Sequence, residues 1–148
     1  QGWLYLATVL DLFSRKIVGW SMSKNNDTTL VISALKMAIK NKPKKQEVML
    51  HSDQGATYRA YAYLALFEKN KIKQSMSNKG VCHDNAVAES FFNTLKRELV
   101  NEQTYKNIDK AKSSIFEYIE VFYNKIRRHS YCNYESPDNF EKAFYNAQ

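Results

Sequence analysis

Two apolar, aromatic and β-branched runs separated by a short polar turn constrain this chain most. Trp3 to Leu10 (WLYLATVL) reads as a buried strand, Asp11-Leu12-Phe13-Ser14-Arg15 as the turn, and Lys16 to Ser23 (KIVGWSMS) as the returning strand. Such a pair needs helices packed on it, and the following residues supply them. Asn26 or Asp27 caps a helix whose apolar positions Leu30, Val31, Ala34, Leu35, Ala38 and Ile39 repeat every 3.6 residues, and Asn41 with Pro43 stops it. Val48 to His51 is a short strand that ends in the turn chemistry of Ser52-Asp53-Gln54-Gly55.

Tyr58 to Lys69 is predicted helical, with Tyr61, Leu64, Ala65 and the neighbouring aromatics on its buried face, and Ile72 to Met76 forms another short strand. A loop from Ser77 to His83 leads to a helix capped by Asp84 or Asn85, with Val87, Phe91, Leu95 and Leu99 in one stripe. One long helix carries Ile108, Ala111, Ile115, Ile119, Phe122 and Ile126. Ser136 then caps a terminal helix with Pro137 at its first position. Strands, helix, strand, helix, strand and helices in that order predict an α/β domain, a mixed sheet with helices packed on it.

At 148 residues the chain is one domain, residues 1–148, large enough for its own core. The net charge of +7 suits a polyanionic partner, nucleic acid before membrane, because many basic residues sit beside aromatics. Two cysteines, Cys82 and Cys132, are too few for a disulfide framework and point to a reducing cytoplasm. No apolar run approaches the roughly 20 residues that cross a bilayer. The chain opens inside an apolar stretch without an initiator Met, which reads as an excerpt of a longer protein truncated at its N-terminus.

Two acids stand where chemistry is done. Asp53 lies just beyond a strand end, where functional groups gather in open α/β sheets. Glu89 lies near the start of its helix, and Asn93 and Lys96, four and seven residues on, share its face opposite the Val87/Phe91/Leu95 stripe. A carboxylate, an amide and an amine on one face suit a metal ion and phosphate oxygens. Taken alone, Asp53 reads more readily as a turn cap and Glu89 as a first-turn acid favoured by the helix dipole.

The surroundings of these residues resemble a known family. Gly2-Trp3-Leu4-Tyr5-Leu6 through Asp11-Leu12-Phe13-Ser14-Arg15-Lys16-Ile17-Val18-Gly19-Trp20 is similar to the integrase core of bacterial insertion-sequence transposases, the group with an integrase-like second reading frame. So are His51-Ser52-Asp53-Gln54-Gly55, Asp84-Asn85-Ala86-Val87-Ala88-Glu89-Ser90-Phe91-Phe92 leading into Leu95-Lys96-Arg97-Glu98, Tyr123-Asn124 with Arg127-Arg128-His129-Ser130, and Ser136-Pro137. The 35 residues between Asp53 and Glu89 match the separation of the second and third acids in that family and in retroviral integrases.

The resemblance implies a ribonuclease H-like fold, a mixed sheet flanked by helices. It implies an Asp-Asp-Glu triad with Asp53 and Glu89 as catalytic and metal-binding members, and two Mg²⁺ or Mn²⁺ ions. The activity implied is nicking at element ends and strand transfer into target DNA, by an oligomer at the nucleoid. The first Asp and its central strand are expected before Gln1, which leaves two sheet edges without partners and this chain inactive alone. Asp11 is no substitute, since it would lie about 13 Å along the strand from the position facing that Asp.

Asn93, Lys96, Arg97, Lys125, Arg127 and Arg128 are the expected DNA contacts. The last three stand equally as cations complementing a helix C-terminus, and Lys42, Lys44 and Lys45 read as a solvated loop. Cys82-His83 and His129 with Cys132 have the wrong spacing for a compact zinc site. His51 is either packed in the core or hydrogen-bonded beside the Asp53 turn. A hydrolytic nuclease of the same fold and a non-catalytic DNA-binding remnant are the alternatives.

Overall fold

The hairpin forms between Tyr5–Leu10 (β1) and Ile17–Ser23 (β2), antiparallel, with Ala7 opposite Ser21. A computed structural model describes residues 2–42, 47–52, 60–76 and 86–147 of the chain. Alternation along β1 divides its side chains between two cores. Tyr5, Ala7 and Val9 pack with the helices that follow the hairpin, and Leu4, Leu6 and Leu10 with those nearer the C-terminus. In β2 the register slips: Val9 faces Gly19 but Leu10 faces Ile17, so Val18 is an extra, bulged residue. The bulge lets Ile17 join Trp20 and Met22 on the second core although it is three residues from Trp20.

Helix α1, Thr28–Asn41, starts where Asp27 accepts a hydrogen bond from Leu30 N at 3.1 Å. It buries Leu30, Val31, Ala34 and Leu35 against the hairpin. Asn41 ends it and donates from Nδ2 to the carbonyl of the bulged Val18 at 2.9 Å. Val48–Ser52 (β3) and Ile72–Met76 (β4) pair in parallel, Val48 opposite Ile72, joined through helix α2, Tyr61–Lys69.

The buried face of α2 is the expected one at Leu64 and the neighbouring aromatics but not at Tyr61 and Ala65. Tyr63 and Phe67 are buried, four residues apart with rings 5.2 Å between centroids, while Tyr61 is 88% exposed and Ala65 is also exposed. Two rings one turn apart remove more apolar area from water than Tyr61 with Ala65, and that decides which side faces inward. Tyr58 and Arg59, expected in this helix, lie outside the described residues.

Among the described residues the strands make two separate two-stranded sheets, β1–β2 antiparallel and β3–β4 parallel, rather than one mixed ladder. They share a cover: Ala7 of β1 and Ile72 of β4 belong to one cluster with α1 and α2, and Leu50 of β3 packs against it. One edge of β1 and one edge of β3 therefore carry no described strand.

Helix α3, Ala86–Glu98, and helix α4, Ile108–Glu117, cover the other side of the hairpin. The long helix expected to run through Ile126 changes character after Glu117. Tyr118–Tyr123 is a π-helical segment, and near its end Arg127 N donates to Phe122 O, five residues back. The wider turn advances the buried face. Tyr118, Ile119, Tyr123 and Asn124 go inside, while Phe122 and Ile126, expected in the stripe, are 39% and 60% exposed. Asn124 then meets the edge of β2: its Oδ1 accepts from Ile17 N at 2.9 Å and its Nδ2 donates to Ile17 O at 3.0 Å. One side-chain amide does there what a neighbouring strand would do. Helix α5, Pro137–Asn146, is capped by Ser136, which accepts from Asn139 N at 3.2 Å.

Candidate active site

Helix α3 presents the arrangement that its spacing predicts. Phe91, Thr94 and Leu95 are buried, and Glu89, Asn93, Lys96 and Arg97 are exposed. Glu89 lies in the first turn, where unpaired backbone N–H groups favour negative charge. Among the described residues nothing pairs with its carboxylate. Two other acids near it, Asp11 and Glu98, are occupied. Asp11 builds the turn: its carboxylate accepts from Phe13 N at 3.1 Å and from the Ser14 hydroxyl at 2.9 Å. Its role is that of a turn cap, and it reaches Arg15 only through its backbone carbonyl, at 2.7 Å.

Asp53, Gln54 and Gly55 lie outside the described residues, as do Asp84, Asn85, Cys82 and His83. The described chain reaches Ser52 at the end of β3. Just before it, His51 lies opposite Ser75 in the register, with Nδ1 3.0 Å from the Ser75 hydroxyl. Its Nε2 is buried, and no partner among the described residues meets it. Among the described residues no group of three or more His, Cys, Asp or Glu side chains gathers to hold a metal ion.

At the other end of α3, Glu98 is locked. Arg127 donates from Nη2 to Oε2 at 2.8 Å and from Nε to Oε1 at 2.8 Å, and the Tyr118 hydroxyl donates to Oε1 at 2.8 Å. Hydrogen bonding to Arg127 holds the Glu98 carboxyl below its ordinary range. Burial, then the bond to Glu98, pushes the Tyr118 hydroxyl up, and burial raises Tyr123 to about 12. Arg127 Nη1 also donates to His129 Nε2 at 3.1 Å, which requires a neutral imidazole. Burial and the Arg127 charge lower the His129 pKa accordingly.

Of the cations expected to touch DNA, Arg127 thus has its fork turned inward, while Lys96, Arg97, Lys125 and Arg128 are exposed. The Glu98–Arg127 pair leaves no local signal in the sequence. The two residues are 29 positions apart, and only a prediction that α3 crosses the end of the π-helical segment could have joined them.

This cluster makes the fold acid-sensitive. The Glu98 contribution is complete above about pH 4.5 and is lost as pH falls through its lowered folded value. His129 acts from below about 6.5, where the unfolded chain takes up a proton before the folded one does. The urea midpoint is therefore expected to fall progressively between about pH 6.5 and 4. Glu98→Gln should cost about 1–3 kcal/mol at pH 7, because a half-buried Arg127 loses its charged partner, and should flatten the acid limb below pH 5. An unchanged midpoint at both pH values would show that the pair is not formed in solution.

Among the described residues no helix is long and apolar enough to cross a membrane. An integrase core domain family model matches residues 1–82, and a second integrase core domain model matches residues 70–137. The chain is 42% identical over 141 residues to the transposase InsF for insertion sequence IS3A of Escherichia coli strain K12, covering 95% of this chain and 49% of that protein. It is 43% identical over 142 residues to the transposase for insertion sequence element IS904 of Lactococcus lactis, covering 96% of this chain and 56% of the relative. The chain thus spans about half the length of these relatives.

Among solved structures, it superposes on a chain of the simian T-cell lymphotropic virus intasome in complex with PP2A regulatory subunit B56 gamma. The TM-score is 0.74 at 15% identity, over 94% of this chain and 48% of that one. It also superposes on the HTLV-2 integrase catalytic core domain in complex with magnesium, in its trimeric form. There the TM-score is 0.60 at 15% identity, over 95% and 93% of the two chains. These likenesses establish the ribonuclease H-like fold expected from the motifs.

Proposed function

The chain belongs to the integrase core domain family, and from that premise we propose that it is the catalytic part of a DNA transposase of the Asp-Asp-Glu type. The observation that carries this reading is the exposed face of α3. Glu89 is free, Asn93 and Lys96 follow on the same side, and the acids that could compete with it, Asp11 and Glu98, are committed to a turn and to an arginine.

A free, exposed carboxylate is a hard oxygen donor that suits Mg²⁺ or Mn²⁺. Asp53 and Glu89 would hold the ions together with the first Asp of the family's triad. Once bound, a pair of ions supplies activation of an attacking oxygen and neutralisation of the leaving one. The chain's own side chains position the DNA. Asn93 and Lys96 hold the reacting phosphate beside Glu89, and Arg97, Lys125 and Arg128 meet the backbone to either side. Joining two element ends to a target calls for more than one copy of the protein, so the working form is a homo-oligomer acting on DNA in the cytoplasm.

Product analysis tests the reading. With Mg²⁺ and a duplex carrying the element's end, the complete protein that contains this domain is expected to release a 3′-hydroxyl end and then join it to target DNA. Hydrolysis without joined product would favour the nuclease of the same fold, and no metal-dependent reaction at all would favour a binding remnant. Addition of a chelator should abolish both steps.

A further inference from the structure

The turn between β1 and β2 holds an arginine where the backbone disfavours one. Arg15 has φ 63°, in the left-handed region that glycine or asparagine enters at less cost. Most of the turn's hydrogen bonds are made without this side chain. Asp11 and Ser14 build it, with Asp11 N donating to Lys16 O at 2.9 Å and Lys16 N to the Ser14 hydroxyl at 3.2 Å. Ser14 is fully buried, and its carbonyl accepts from the buried Cys132 thiol at 3.2 Å, which fastens the turn to the 129–135 loop.

The Arg15 guanidinium carbon instead lies over the Tyr131 ring, 3.7 Å from its centroid, with Nη1 bonded to the Leu12 carbonyl. No ion pair among the described residues neutralises it.

The loop that carries Tyr131 is itself held rigid. His129 N donates to Glu135 O at 3.1 Å and Tyr134 N to His129 O at 2.8 Å, while Asn133 and Tyr134 both adopt positive φ. Cys132 is drawn inward and the rings of Tyr131 and Tyr134 outward. The nearest acid on α3, Glu98, is already neutralised by Arg127, so the positive charge of Arg15 and of exposed Arg128 faces solvent. Rigid aromatic rings beside unpaired guanidinium groups suit a nucleic-acid strand: phosphates for the forks, sugar or base faces for the rings.

We propose that Arg15, lying over Tyr131 in the 129–135 loop, forms a second DNA-backbone contact at the end of α3 opposite Glu89. Glu89 and Glu98 are nine residues apart, about 13 Å along the helix, so this surface touches DNA several base pairs from the reacting phosphate. The proposal rests on the reading of DNA as substrate and adds a surface to it.

The test is binding of a fluorescent duplex to the full chain across a salt series from about 50 to 200 mM. Wild type should weaken steeply with salt. Arg15→Gln should bind about 3- to 10-fold less tightly at the low-salt end, with a log–log slope smaller by about 1, and Arg15→Lys should recover the slope. Arg15→Gly is the decisive variant, because glycine fits the left-handed turn: its thermal midpoint should equal or exceed wild type while its binding drops as in Arg15→Gln.

Arg15→Gly that binds DNA normally overturns the proposal and leaves the transposase reading standing. So does Arg15→Gly that melts early while retaining affinity, since the stack would then be a tether. A wild-type chain without salt-dependent binding overturns both.

Discussion

Replacing Glu89 by glutamine is expected to remove at least about a thousandfold of metal-dependent cleavage and strand transfer by the complete protein, with the fold intact. Gln keeps the size and one oxygen of the side chain but not its charge, and two divalent ions cannot be held close together without carboxylates to balance them. Glu89 is exposed and unpaired, so the substitution strands no partner and should change stability by no more than about 0.5 kcal/mol. Asp53→Asn should match it, and the double variant should be little worse than either alone, because both residues serve one metal site.

Glu98→Gln separates chemistry from architecture on the same helix. It should lower the urea midpoint while sparing most of the rate at 25 °C. The measurement is a single-turnover rate over a Mg²⁺ titration, paired with a urea melt for each variant. Activity of Glu89→Gln within tenfold of wild type would remove Glu89 from the metal site.

What the sequence disclosed about this face follows from geometry. Residues four and seven apart share an azimuth on any α-helix, so Glu89, Asn93 and Lys96 could be set together before any fold was known, and Phe91 with Leu95 opposite them. The hairpin and α1 were equally legible, since an Asp11 turn between two apolar runs and an Asp27 cap are local signals. Departures from ideal periods were not. The bulge at Val18 leaves no mark in a run as apolar as KIVGW, and the π-helical segment put Tyr123 and Asn124 where a 3.6-residue period had put Phe122 and Ile126. The short α2, with aromatics on several sides, offered no single stripe, and tertiary contact chose Tyr63 and Phe67. Pairings over long separations, Glu98 with Arg127 and Asn124 with Ile17, depend on how helices cross, which no local pattern encodes. The face of α3 is thus half of the proposed site; the Asp53 half rests on motif resemblance.

Gly19→Ala is expected to be the most damaging single-methyl change in the described chain. A Cβ at this position would stand 2.3 Å from the Ala34 carbonyl oxygen, 2.8 Å from Ala38 N and 2.9 Å from Ala38 Cβ. The first two are helix backbone, which cannot turn aside as a flexible side chain would. The strain is steric rather than conformational, because Gly19 does not occupy the left-handed region. Relief requires α1 to lift off β2, and α1 holds Leu30, Val31, Ala34 and Leu35 in the core that both sheets share. Overpacking of this kind costs roughly 3 kcal/mol or more, a large part of the 5–15 kcal/mol that keeps a domain folded. Gly2→Ala is the matched control, since nothing lies within 4 Å of a Cβ there. Urea unfolding should separate the two by at least about 2 kcal/mol. Equal midpoints would mean that α1 does not sit against β2 at Gly19, and the seat of the whole hairpin would have to be redrawn.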